Sequence, residues 1–206
     1  MKYFDIHTHT PSNNGICSFF RKDSVLPTAQ GYYAFGIHPW FLEDVEEQFL
    51  WLAKAVHHPR VLALGECGLD KLSKFPLELQ IEVFRKCAEL SEKISLPLII
   101  HNVRCTDHLI EIKRDLKPSV PWIIHGFRGK LALANECLRH GFYLSFGEKF
   151  QEDTLRNVPI ERLLLETDES LLEIDDIYRH VAETRGVSLD ELTEALEINV
   201  RKLFFK

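Results

Sequence analysis

Histidines and carboxylates follow five short apolar runs of this sequence, at the points where β-strands would end. They are His7 and His9, Glu66, His101, His125 and Asp168. A charged or imidazole side chain directly after an apolar strand loses hydration energy unless it is paired or binds a metal ion. One such residue, or the H-x-H pair alone, is ordinary at the end of a strand. All of them together predict a site for divalent cations.

The chemistry expected of such a site is metal-assisted hydrolysis. Four imidazoles and two carboxylates suit two divalent ions, with one carboxylate bridging them. Two neighbouring ions can share a hydroxide and lower the pKa of its parent water. They can also hold the attacking and leaving oxygens of a phosphoryl or acyl centre. The native metal stays open, because imidazole and carboxylate sites accept several divalent ions.

The apolar runs alternate with stretches of helical period. Eight runs read as strands: Tyr3 to His7, Gly15 to Phe20, Tyr32 to Ile37, Val61 to Leu64, Leu98 to His101, Trp122 to His125, Phe142 to Phe146 and Arg162 to Glu166. This alternation predicts βαβ units with parallel pairing. We therefore expect an α/β fold, a compact (β/α)₈ TIM barrel, formed by residues 1–206 as a single domain. In a barrel all carboxyl ends of the strands meet at one face, which would gather the six candidate ligands.

The first units of this barrel are expected to be shortened. The segments Thr8 to Asn14 and Arg21 to Gly31 contain Pro or Gly and lack a full amphipathic helix. An open, doubly wound sheet would need a Gly-rich phosphate-binding turn or a site at a switch point, and no such motif occurs.

At the other end of the chain, Ser188 and Glu191 have the spacing of a capping box and predict the start of the last helix.

Composition limits the class of protein. The chain has 206 residues, 45% hydrophobic and 27% charged, and a formal net charge of −6. These values are typical of a globular protein and exclude collagenous, disordered and membrane-spanning classes. The acidic balance disfavours a broad basic face for nucleic acid. Five cysteines without a C-x-x-C pair, and an N-terminus without an apolar leader, predict reduced thiols and a cytoplasmic location away from membranes.

Several short motifs resemble one known family. They are Asp5-Ile6-His7-Thr8-His9, Gly36-Ile37-His38-Pro39, Gly65-Glu66-Cys67-Gly68-Leu69-Asp70, Pro97-Leu98-Ile99-Ile100-His101, His125-Gly126-Phe127-Arg128-Gly129, Glu166-Thr167-Asp168, and Asn199 through Phe204. In this order they resemble the TatD-type metal-dependent deoxyribonucleases, within the amidohydrolase-like metal-dependent hydrolases. The resemblance covers essentially the whole chain.

The resemblance implies a role for each candidate ligand. One ion would be held by His7, His9 and Asp168, and the other by His101 and His125. Glu66 would bridge the two ions, and Asp168 would also accept the proton of the attacking water. The implied activity is hydrolysis of DNA phosphodiester bonds, often exonucleolytic, with Mg²⁺, Mn²⁺ or Zn²⁺. We expect single-stranded DNA or DNA ends as the substrate and a monomer as the form of the protein.

Three further residues are candidates for substrate contacts: His38, Arg104 and Arg128. Arg104 stands three residues after His101, whereas family members often have an arginine two residues after this histidine. The Ser-Pro segment and substrate loop that commonly follow Asp168 in the family are also replaced, here by Glu169-Ser170-Leu171-Leu172-Glu173. Two alternatives therefore stay open, a hydrolase of a small phosphoester, amide or lactone, and a non-catalytic metal-binding protein.

Overall fold

The computed structural model describes residues 2–20 and 31–205, in which eight strands alternate with helices. The strands are β1 (Asp5–Thr8), β2 (Gly15–Phe19), β3 (Tyr32–Phe35), β4 (Val61–Asp70), β5 (Leu98–Val103), β6 (Trp122–Ile124), β7 (Tyr143–Phe146) and β8 (Leu163–Leu165). The helices are α1 (Val45–Ala55), α2 (Leu77–Ile94), α3 (Thr106–Leu116), α4 (Leu131–Arg139), α5 (Glu152–Asn157), α6 (Ile174–Arg185) and α7 (Leu189–Phe204). A short 3₁₀ turn, Ile160–Arg162, precedes β8.

The eight strands form one parallel sheet in the order β1 to β8. The sheet returns on itself where Thr8 forms a parallel bridge with Asp168. Here the Asp168 N–H donates to the carbonyl of His7 at 2.9 Å, and the His9 N–H donates to the carbonyl of Asp168 at 3.4 Å. The predicted (β/α)₈ barrel is confirmed, and its seam lies at three candidate ligand positions.

Each strand contributes one buried apolar side chain to a common cluster: Ile6, Ile16, Ala34, Ala63, Ile99, Ile123, Tyr143 and Leu164. Helix α7 adds Val200, Leu203 and Phe204 to this cluster. The opposite faces of the strands pack against the surrounding helices. The inner layer therefore fills the barrel below the carboxyl ends of the strands, as expected from side chains that alternate along each strand.

The connections agree with the expected shortening where they are described. Residues 9–14, between β1 and β2, contain no helix. The predicted segment Arg21 to Gly31 lies, apart from Gly31, outside the described residues. Helix α7 begins with the predicted capping box, since the Ser188 side chain accepts from the Glu191 N–H and the Glu191 side chain accepts from the Ser188 N–H. All five cysteines are free and buried. Within residues 2–20 and 31–205, no helix is both long and apolar enough to span a bilayer.

Candidate metal centre

The six candidate ligands lie together at the carboxyl end of the barrel. His7, Glu66 and His101 belong to β1, β4 and β5. His9 and His125 directly follow β1 and β6, and Asp168 stands three residues after the end of β8. Among the described residues, three groups have potential ligand atoms that all lie within 4.8 Å of one another: His7, His9 and Glu66; His7, His125 and Asp168; and His38, Glu66 and His101. The barrel thus brings all six predicted ligands into one cluster.

Two kinds of strand geometry direct these side chains toward the inside of the barrel. His101 and His125 stand two residues after the inner-layer residues Ile99 and Ile123, so regular alternation turns them inward. Glu66 stands three residues after the inner-layer residue Ala63, which would place it on the outer face. The register of β4 against β5 shifts between Leu64 and Cys67, and this irregularity returns Glu66 to the inside. A register shift also occurs in β1, between Asp5 and Thr8.

Gly65 makes the irregularity in β4 possible. Its φ of +148° is a backbone conformation that favours glycine. A Cβ atom at this position would lie 2.5 Å from the carbonyl oxygen of Ile99 on the neighbouring strand. A larger residue at position 65 would push β4 away from β5. Glycine is therefore required next to the central carboxylate.

The carboxylate of Glu66 occupies the middle of the cluster and presents one oxygen to each side. Oε1 lies 2.8 Å from His101 Nδ1 and 2.9 Å from His125 Nε2. Oε2 lies 3.4 Å from His7 Nε2 and 3.7 Å from His9 Nε2. The two oxygens therefore face two separate pairs of imidazoles, and Oε1 also contacts a fifth imidazole, that of His38, at 3.2 Å. This is the arrangement that a carboxylate bridging two cations requires.

Asp168 completes the side of the cluster that contains the H-x-H pair. Its Oδ1 lies 3.5 Å from both His7 Nε2 and His9 Nε2. Its φ of +55° is unusual for a residue other than glycine, and the bridge to Thr8 holds the backbone in this conformation. Strain of this kind is common where a side chain has to be aimed at a functional site.

Three of the imidazoles have their second ring nitrogen held by an oxygen. His7 Nδ1 lies 2.9 Å from Ser18 Oγ. His101 Nε2 lies 2.9 Å from Asp70 Oδ2, and His125 Nδ1 lies 3.3 Å from Glu166 Oε1. An acceptor on the far nitrogen fixes the tautomer, so that the near nitrogen presents its lone pair to the site. This is the usual arrangement around metal-binding histidines.

His38 differs from these histidines. Its Nδ1 accepts a hydrogen bond from the backbone N–H of Trp40 at 3.1 Å, so the ring proton must be on Nε2. Nε2 then donates to Glu66 Oε1 at 3.2 Å. Burial lowers the pKa of His38 and outweighs the opposing effect of Glu66, which keeps the imidazole neutral. His38 is therefore a hydrogen-bond donor within the site, although its distances alone would also allow it to be a ligand.

The electrostatics of the cluster favour positive charge between the carboxylates. Burial by itself raises the pKa of Glu66, but the nearby His125, His7 and His101 outweigh it and hold this pKa well below its usual value. Burial likewise raises the pKa of Asp168, but the neighbouring imidazoles of His7 and His9 outweigh it, so that the net shift is downward. Both carboxylates are thus held ionised in a buried setting.

The imidazoles show the complementary effect. Burial lowers the pKa of His125, but the charge of Glu66 and the hydrogen bond to Glu166 raise it well above its usual value. The pKa of His101 is also raised, because its bonds to Asp70 and Glu66 outweigh burial.

The donor set fits divalent cations. Nitrogen and carboxylate oxygen are the ligands that Zn²⁺ and Mn²⁺ accept in proteins. Among the described residues, His7 Nε2 is a buried polar atom without a hydrogen-bond partner, and it points between Glu66 and Asp168. A buried nitrogen in this situation is unfavourable unless it binds something. The residues present therefore fit a bound metal.

A cavity of about 1100 Å³ opens above the cluster. It is lined by ligand candidates and also by all three predicted substrate contacts: His38, Arg104 and Arg128. His38 is buried next to Glu66, whereas both arginines are exposed at the mouth. The structure thus gathers the predicted substrate contacts around one opening. The two arginines lie at its mouth, and the neutral His38 lies inside.

Sequence reasoning gave no site role to Ser18 and Glu166, which hold His7 and His125, or to Asp5. The Asp5 carboxylate accepts from the His7 N–H at 3.2 Å and from the Thr167 N–H and hydroxyl at 3.1 and 2.6 Å. It joins β1 to the segment that carries Asp168, and burial raises its pKa to about 7. Spacing could have indicated two of these residues, because Asp5 and Glu166 each stand two residues before a candidate ligand.

Asp70 gives the first testable prediction. The variant Asp70→Asn is expected to weaken metal binding roughly 10- to 100-fold, because loss of the carboxylate behind His101 leaves its ring orientation and basicity unsupported. Calorimetric titration of the metal-free protein with Zn²⁺ measures this change. Asp107→Asn, at an exposed position at the start of α3, is the matched control and should bind like the wild type. Equal affinities for Asp70→Asn and the wild type would contradict a positioning role.

Comparison with known proteins gives concordant results. The sequence matches the family model described as TatD related DNase over residues 20–205. It is 32% identical over 196 residues to an uncharacterized metal-dependent hydrolase, YabD of Bacillus subtilis, across 84% of this chain and 77% of that protein. It is 29% identical over 198 residues to the 3'-5' ssDNA/RNA exonuclease TatD of Erwinia amylovora, across 82% of this chain and 76% of that protein.

The fold is similarly matched. The crystal structure of YjjV, a TatD homologue from Escherichia coli K12, superimposes with a TM-score of 0.88 at 23% sequence identity. The match covers 98% of this chain and 97% of that chain. At this level of identity the superposition supports the barrel and its connectivity.

Proposed function

The chain belongs to the TatD related DNase family of metal-dependent hydrolases, and from this we propose that it hydrolyses phosphodiester bonds in single-stranded DNA or at DNA ends, with two divalent metal ions. The observation that carries the proposal is the position of Glu66, whose two carboxylate oxygens face two separate pairs of imidazoles. The relative from Erwinia amylovora, named as an ssDNA/RNA exonuclease, supports the choice of substrate.

The proposed ligands divide into two sets. His7, His9 and Asp168 would hold one ion, His101 and His125 would hold the other, and Glu66 would contribute to both. His38 belongs to neither set, because its proton is on the nitrogen that faces the site. The ions are Mg²⁺, Mn²⁺ or Zn²⁺, all of which accept ligands of this kind.

The bound ions would activate a water molecule and neutralise charge on the phosphate. The remaining steps are carried out by side chains of the protein. Asp168 accepts the proton of the attacking water, since it is held ionised and lies at the edge of the cavity. The single Nε2–H of the neutral His38 donates to Glu66 in this structure, and it would turn to a phosphate oxygen when Glu66 binds the ions.

Arg104 and Arg128 bind neighbouring phosphates at the mouth of the cavity. A guanidinium can pair with a phosphate through two parallel hydrogen bonds. The formal charge of −6 makes the chain a poor electrostatic partner for a long duplex. Two divalent ions and two arginines concentrate positive charge at one opening, which suits a strand end that enters it.

We further propose that residues 1–206 act as one domain, as a monomer and in the cytoplasm. One sheet contains every described strand, which supports a single domain. The five buried free cysteines are consistent with a reducing compartment.

The test is a substrate panel with the purified full chain. With Mg²⁺, Mn²⁺ or Zn²⁺, we expect degradation of end-labelled single-stranded DNA, faster than that of blunt duplex DNA, and complete loss of activity after chelation with EDTA. Single-stranded RNA and bis(p-nitrophenyl) phosphate are compared in the same assay. Turnover of the small ester without cleavage of any nucleic acid would overturn the nuclease proposal and favour a small-molecule hydrolase. No turnover of any substrate would favour a non-catalytic protein.

A further inference from the structure

The indole of Trp40 is exposed at the mouth of the cavity. Trp40 is 49% exposed, whereas Trp122 is fully buried. Among the described residues, the exposed large hydrophobic side chains include only two that line this cavity, Trp40 and Leu133. Tryptophan is enriched at binding surfaces, where its ring packs against a partner and its N–H finds an acceptor. Its location next to the proposed metal centre points to a ligand that covers its ring.

The orientation of this indole is fixed. Its Nε1–H donates to Asp70 Oδ2 at 2.7 Å, and its ring contacts the imidazoles of His38 and His101 edge to face, at interplanar angles of 86° and 71°. The backbone N–H of Trp40 is held by His38 at the same time. Little conformational freedom is left to lose, so a ligand that packs on this ring binds a preorganised surface.

The other aromatic side chains of the cavity wall are arranged differently. Phe20 and Phe41 stack on each other, with ring centroids 5.0 Å apart and planes 2° apart. Each therefore already covers a face of its neighbour. Trp40, half exposed, keeps ring surface open to the cavity.

The centroids of the Trp40 and His101 rings are 6.0 Å apart. A group bonded to the metal centre beside His101 therefore lies close to the indole. In a nucleotide, a phosphate is joined to a flat aromatic base through one sugar. From this juxtaposition we propose that Trp40 stacks on the unpaired base of the nucleotide whose phosphate is held at the metal centre. This inference rests on the proposed function and specifies how a single-stranded nucleic acid is recognised.

Stacking of this kind would select for single strands. A base in a duplex is already stacked and paired, whereas an unpaired terminal base is free to lie on an aromatic ring. Recognition would be tolerant of sequence, since every base has a π face. Trp40 would thus be a substrate-binding residue, in addition to its bond with the Asp70 that holds His101.

The test compares two product-like ligands that differ only in the base, thymidine 5'-monophosphate and 2-deoxyribose 5-phosphate. Binding to the Mn²⁺-loaded full chain is measured by calorimetry. We expect the wild type to prefer the nucleotide, and Trp40→Ala to weaken nucleotide binding roughly 10- to 100-fold while leaving the sugar phosphate unchanged. Trp40→Phe, which keeps an aromatic ring but loses the N–H donor, should retain most of the preference. Ile198→Ala, an exposed apolar position outside the cavity, is the control.

Each other outcome overturns the proposal. Equal loss of both ligands in Trp40→Ala would show that Trp40 acts through Asp70 and His101 alone. Unchanged binding of both ligands in Trp40→Ala, or no preference for the nucleotide in the wild type, would exclude stacking. The measurement does not depend on DNA cleavage. A Trp40-dependent preference without nuclease activity would therefore contradict the proposed function while supporting the stacking.

Discussion

The variant Glu66→Gln is expected to lose at least about a thousandfold in kcat/KM with every substrate that the wild type hydrolyses. Glutamine has nearly the same shape but carries no charge, and its amide nitrogen cannot bind a cation. Each of the two ions would lose one oxygen of the carboxylate that holds them near each other. The loss should therefore appear in metal content as well as in turnover, which can be measured by elemental analysis of the purified variant.

Glu78→Gln is the matched control for this variant. Glu78 is exposed in the first turn of α2, so the same chemical change there should leave both activity and metal content at the wild-type level. Circular dichroism spectra of the two variants check that the barrel is intact. A folded Glu66→Gln protein with wild-type turnover would exclude Glu66 from the reaction.

Asp168→Asn is expected to lower kcat by about 10² to 10⁴, because the proton acceptor for the attacking water is removed. The carboxamide oxygen can still face His7 and His9, so loss of metal should be smaller than in Glu66→Gln. The two variants should therefore differ in the properties that they change. Glu66→Gln affects metal content and turnover together, whereas Asp168→Asn mainly affects turnover.

The pH dependence of kcat gives a second measurement on Asp168. The wild type needs an ionised acceptor. The pKa of Asp168 is below its usual value beside His7 and His9, and a bound cation would also lower it. Protonation of Asp168 should therefore not reduce kcat at mildly acidic pH. Glu173→Gln, at an exposed position before α6, is the control and should behave as the wild type. An Asp168→Asn variant with unchanged kcat would assign the proton to another acceptor.

Much of this architecture follows from simple sequence patterns. The strand runs and the helical stretches between them predict the barrel, and the capping box at Ser188 predicts the start of the last helix. His101 and His125 follow their inner-layer neighbours by two residues, so alternation alone predicts that they point inward. The convergence of the six candidate ligands then follows from the geometry of a parallel barrel.

Other features depend on geometry that alternation does not encode. Glu66 reaches the inside because β4 changes register beside Gly65, and a regular strand would have turned it outward. The proton position of His38 depends on a backbone N–H two residues away. The partnership of His125 with Glu166 joins residues 41 positions apart in the chain. The register shift and the contact between His125 and Glu166 depend on the pairing of distant segments, and the proton position of His38 depends on the local backbone conformation, so alternation alone could not reveal them.

A bridging role of Glu66 between two metal ions can be tested by titration of the metal-free protein with Mn²⁺, followed by electron paramagnetic resonance. We predict two Mn²⁺ ions per chain with a spectrum of exchange-coupled ions, and loss of this coupling in Glu66→Gln but not in Glu78→Gln. A single bound ion, or two ions without coupling in the wild type, would contradict this role.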